Sequence, residues 1–88
     1  MLSPTDERIF FAEYDVMKSV AASLTAAYGN RVRAATTEAE RDWWDAKRHN
    51  LPQFLRAAVD TDRDDLLSRT RQMREEYHRI GGLATPNK

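Results

Sequence analysis

Phe10, Tyr14, Met17, Ala21, Leu24 and Tyr28 recur at spacings of four and three, which is the period of one face of an α-helix. Ile9, Val16 and Val20 widen that stripe to an arc of roughly 160°, enough to meet two other helices rather than one. The segment SPTDER supplies a start, with Ser3 as N-cap, Pro4 in the first turn, and Asp6 and Glu7 facing the positive helix end. Gly29 and Asn30 supply a stop. A first helix over about 4–28 is therefore expected, and the chain shows no alternating pattern that would mark a strand.

The remaining helices are read from their caps. Thr37 and Glu40 form a capping box, so a second helix is expected over about 38–49, with a start near 31 as the alternative because RVRAA is itself helix-compatible. NLPQ then reads as a restart: Asn50 as N-cap, Pro52 in the first turn and Gln53 at the box position, giving a short helix over about 51–59 after a bend. DTDRDD offers caps for a last helix over about 62–80, which Gly81 and Gly82 end. Its apolar stripe is Leu66, Thr70, Met73, Tyr77 and Ile80. The expected fold is all-α, a small bundle of three main helices and one short one, forming a single domain over 1–82 with a disordered tail over 83–88.

Composition limits what this bundle can do. The 88 residues hold no Cys and carry 14 Lys+Arg against 14 Asp+Glu, so there is no disulfide framework, no thiolate metal site and no strong basic field for nucleic acid. The longest unbroken apolar run, Ile9 to Ala12, is far short of a membrane span, and a cytoplasmic protein is expected. Leu, Ile, Val and Phe are few for a chain of this length. A domain this small buries only about 60% of its unfolded surface, so a partner chain is expected to add stability, most simply a second copy.

Catalytic material is sparse. The serines have no His placed to activate them, and no Gly-rich phosphate loop or zincin motif occurs. Glu75 and His78 resemble a Glu-x-x-His ligand pair, but both fall well away from the apolar stripe of their helix, and Asp45 with His49 is a poor second pair. No catalytic residue, cofactor or metal site is therefore expected. Asp65–Arg69, Arg71–Glu75 and Glu75–Arg79 are i,i+4 pairs of an exposed, self-compensated face. Arg69, Arg71, Arg74 and Arg79 make a ladder for an acidic partner or for phosphates, the alternative function being a nucleic-acid-associated regulator. Glu13 sits inside the apolar arc of the first helix and needs a polar partner from another helix or a position at the rim.

The Trp pair is the remaining feature. Trp43 aligns with Ala39, Ala46 and Asn50 and is expected in the core, filling the space that small neighbours leave. Trp44 sits among Glu40, Arg41, Lys47 and Arg48 and meets apolar company at Leu51. Three fates are open to it: stacking under its own arginines, cover by the segment after Pro52, or exposure as a partner anchor. The expected function is non-catalytic protein–protein contact, as a regulator, an antitoxin or immunity-type binder or an assembly subunit, with homodimerisation. Phe11, Trp44, Leu51, Arg71 and Arg74 are the candidate partner-binding residues.

Overall fold

A computed structural model describes residues 9–82, which form three helices: α1 Phe11–Ala34, α2 Glu38–Arg56 and α3 Arg63–Arg79. Helix α2 runs antiparallel to α1, and α3 runs parallel to it. At one end Tyr28 of α1 meets Trp44 of α2 and Glu76 of α3. At the other, the Phe10 backbone N–H donates to the Asp60 carbonyl at 3.0 Å and Arg63 meets Glu13. Helix α1 packs along both neighbours, while α2 and α3 stand further apart.

The expected stripes are the core. Met17, Ala21, Leu24 and Tyr28 of α1, Leu66, Thr70 and Met73 of α3, and Ile80 beyond it are all buried, joined by Ala27 and Leu51. The buried Thr70 hydroxyl donates to the Leu66 carbonyl at 2.8 Å, so it enters the core without an unpaired donor. The wide arc of α1 is covered only in part. Ile9 and Val16 at its edge are exposed, because α3 covers the centre of that arc and leaves a groove beside it.

Helix boundaries depart from expectation at two places. Gly29 does not end α1, which continues to Ala34 and stops where Ala35 turns extended. A glycine inside a helix costs about 1 kcal/mol relative to Ala, and the packing of the buried Ala27–Gly29 stretch offsets it. Residues 31–34 thus finish α1, and α2 starts at Glu38, capped by the Thr37 hydroxyl, which accepts from the Glu40 N–H at 3.1 Å. The Glu40 carboxylate reaches back to the Thr36 N–H at 3.3 Å, so the box is offset by one residue. The expected Ser3 cap and the tail over 83–88 lie outside the described residues.

The larger correction concerns Pro52. No separate helix forms over 51–59: α2 runs unbroken through Asn50 and Pro52 to Arg56. Proline deletes one backbone donor and costs about 3 kcal/mol in a helix interior. Leu51 is buried, and Phe54 and Leu55 pack against the core on either side of the exposed ring. The last turn is held from outside by Arg69 of α3, whose guanidinium donates to the Phe54 carbonyl at 2.9 Å and the Ala57 carbonyl at 3.4 Å. These carbonyls belong to a helix end that otherwise depends on water.

Helix α3 follows expectation closely. Asp62 caps it by accepting from the Asp65 N–H at 3.1 Å. At its end the Gly82 N–H donates to Tyr77 at 2.7 Å and the Gly81 N–H to His78 at 3.1 Å, with both glycines at positive φ. That pairing is a Schellman motif, and the left-handed backbone explains the Gly-Gly dipeptide.

Candidate protein-docking surface

The two Trp residues separate by side. They diverge by about 100° on one helix, and α1 meets the Trp44 side. Trp44 is half-buried, its ring 6.1 Å from that of Tyr28, with the Arg31 guanidinium 5.4 Å above it. Cover therefore comes from α1. The segment after Pro52 belongs to the same unbroken helix and does not fold back over it. The stacked cation likewise comes from another helix, not from Arg41 or Arg48. Trp43 corrects the sequence reading most strongly: it is 61% exposed and in no core, with only the Lys47 ammonium 5.0 Å from its ring. Its small neighbours Ala39, Ala46 and Asn50 are exposed with it.

Leu51 is also corrected. At 7% exposure it is part of the core and unavailable as a projecting anchor. It instead forms part of the floor, with Leu24 and Tyr28, of a groove of about 300 Å³ between α2 and α3. Lys47, Asn50 and Phe54 line it from α2, and Gln72, Met73 and Glu76 from α3. Trp43 stands one helical turn before Lys47, on the side of α2 whose Lys47, Asn50 and Phe54 line this groove, and is not itself part of the lining.

A dense polar cluster closes the upper end. Glu76 accepts from the Tyr28 hydroxyl at 2.8 Å and lies 3.6 Å from the Lys47 ammonium, while Arg79 binds its other oxygen. Partial burial works against the charge of Glu76, but the hydrogen bonds from Arg79 and Tyr28, with the nearby Lys47, hold its carboxyl below the usual range. The Tyr28 hydroxyl is pushed above its ordinary value, first by burial and then by donating to that carboxylate. Arg31 completes the cluster by donating to the Ile80 carbonyl beyond the end of α3.

The other candidates are distributed. Phe11 is 68% exposed in the first turn of α1. Arg71 and Arg74 are exposed and line the second groove, about 360 Å³, between α1 and α3, together with Val16, Leu67, Glu75 and His78. Glu13 is half-buried at that groove and accepts from Arg63 at 2.9 Å, the rim placement with an inter-helix partner. Phe11, Trp44, Leu51, Arg71 and Arg74 therefore do not form one surface.

Two expected ion pairs of α3 are replaced. Arg79 pairs with Glu76, and no Arg71–Glu75 or Glu75–Arg79 bridge forms among the described residues. Asp65–Arg69 does form, at 2.9 Å, but as a half-buried clamp between helices rather than a solvated pair. Asp65 also accepts from the Val59 N–H at 2.9 Å; this bond and the one from Arg69 hold its carboxyl below the usual range despite desolvation. No cluster of three metal-ligating side chains occurs among the described residues, and none of their helices is long and apolar enough to cross a membrane.

Sequence reasoning missed Glu76, Lys47 and Arg31, because contacts between residues this far apart in the chain, Tyr28–Glu76, Lys47–Glu76 and Arg31–Ile80, leave no periodic trace. The one available signal was Tyr28, whose hydroxyl at the end of a core stripe requires a polar partner. No family model, curated protein or solved structure matches the chain.

Proposed function

We propose that this is a small cytoplasmic protein that acts through protein–protein contact, without chemistry of its own, and that the outer edge of α2 is its docking surface. The observation that carries this reading is Trp43: an indole 61% exposed, against Lys47, which lines a groove floored by Leu24, Tyr28 and Leu51. Exposed aromatic anchors beside apolar pockets are where interfaces concentrate their binding energy. Lys47 restrains the ring by its cation–π contact, so less side-chain freedom is lost when a partner covers it.

The alternative, nucleic-acid contact through α3, is less well supported. Of its five arginines, Arg63, Arg69 and Arg79 are engaged by Glu13, Asp65 and Glu76. Arg71 and Arg74 remain, and two phosphate contacts give a salt slope of only about −2.

Site-specific photo-crosslinking tests the docking reading. Trp43→p-benzoylphenylalanine is expected to give a covalent adduct with a polypeptide on irradiation in cells and at high protein concentration. The same replacement at Ser23, exposed on α1, is expected to give far less. Absence of any adduct from position 43 under both conditions would remove the proposal.

A further inference from the structure

We infer that the occupant of this docking surface is a second copy of the chain, with the two α2 helices antiparallel across a two-fold axis near residue 48; the inference rests on the outer edge of α2 being a docking surface. Three features of α2 carry it. Trp43 is the centre of an unpartnered helix edge that continues through Asn50 and Gln53 at heptad spacing, exposed and uncharged throughout. That edge is exceptional in a helix where nine of the nineteen residues are Asp, Glu, Lys, Arg or His. A row at spacings of three and four that avoids every one of them is what a helix–helix seam requires.

The charges beside the seam choose the partner and its direction. Residues 38–46 hold four carboxylates, Glu38, Glu40, Asp42 and Asp45, against one cation, Arg41, whereas 47–56 hold Lys47, Arg48 and Arg56 and no carboxylate. The macrodipole favours this order at the helix ends, but it does not clear charge from one edge. Two parallel copies would set like against like; two antiparallel copies set each acidic half against a basic one. An isologous contact needs one patch that complements itself, and this patch does. In antiparallel helices matching flanks face each other, so Asp42 of one copy falls beside Arg56 of the other, twice per dimer. Trp43 falls beside Gln53 and Phe54 of the second copy, at the rim of its groove, and the groove of about 300 Å³ has room for an indole.

Sedimentation equilibrium of the full chain, with far-UV circular dichroism as a folding control, tests this. The expected mass at high concentration is twice the 10.2 kDa chain. Asp42→Lys and Arg56→Glu alter exposed side chains, and each alone is expected to raise the dimer dissociation constant by about tenfold or more while leaving the helical spectrum unchanged. The double variant restores opposite charges and is expected to recover most of the affinity. A monomer at every concentration overturns the inference, as does a dimer indifferent to both single changes or one not rescued by the double change. A foreign-protein adduct at position 43 from a strictly monomeric chain would leave the docking surface standing and remove only the second copy.

Discussion

Trp43 and Trp44 are neighbours in the chain and opposites in the fold. Trp44 rests on Tyr28 beneath Arg31, in a cluster where Lys47, Glu76, Arg79 and the Ile80 carbonyl tie all three helices together. Trp43 has one contact of comparable kind, Lys47, and otherwise faces solvent. The difference teaches how a small bundle with few apolar residues divides its work. One indole joins the contacts that close one end of the bundle, and the other stands in solvent.

Measurements on five variants, made at low protein concentration, would break or sharpen this contrast. The largest effect is expected for Trp44→Ala. Removing a half-buried indole strips the covering from Tyr28 and leaves Arg31 without its stacking surface, so denaturant unfolding is expected to show a loss of about 2–3 kcal/mol. A loss below about 1 kcal/mol would erase the distinction between the two residues. Next is Gly82→Ala at the far end of the same cluster. Its φ of +60° disfavours a side chain, and the added methyl would stand 3.1 Å from the Tyr77 ring, so a cost of about 1–2 kcal/mol is expected. Should thermal melting of that variant match the parent, the Schellman end would not be part of the closure.

Tyr28→Phe comes third, at about 1 kcal/mol, because Glu76 keeps Lys47 and Arg79 when the hydroxyl is lost. Its signature lies in the pH dependence. The Tyr28 hydroxyl is held above its ordinary value, so its contribution is full below about pH 10 and declines as pH rises further. Glu76 is displaced the other way: its contribution is present above the ordinary carboxylate range and is lost as pH falls through the lower folded value. Unfolding profiles should therefore weaken less above pH 10 in Tyr28→Phe and less at acid pH in Glu76→Gln than in the parent. Profiles parallel to the parent would show that the cluster does not titrate with folding. The smallest effect is expected for Trp43→Ser, under about 0.5 kcal/mol in the monomer; a larger loss would return Trp43 to the monomer's own packing.

Legibility followed the range of the interaction. The α3 stripe was readable in full, since Leu66, Thr70, Met73, Tyr77 and Ile80 obey one period and the DTDRDD segment and Gly81–Gly82 bound it by local chemistry, with the structure selecting Asp62 as the cap. Pro52 was misread because its local signal, a missing donor, is real, while the forces that carry α2 past it come from Arg69 and from burial of Leu51. Of the candidate partner-binding residues, Arg71, Arg74 and Phe11 are exposed and Leu51 is buried; that burial was not legible, because a residue on the shared side of two stripes looks the same whether or not a neighbour covers it.

The sequence by itself determined the helical class, the cap at Thr37, a capping segment at DTDRDD, the Gly-Gly stop and the two stripes that meet in the core. All of these depend on residues within a turn or two of each other, where period and hydrogen-bonding capacity act directly. Tertiary structure alone decided which indole is covered, because Trp43 and Trp44 offer equal apolar area on different sides of one helix. The choice belongs to α1, whose Tyr28 and Arg31 reach one side and leave the other in water.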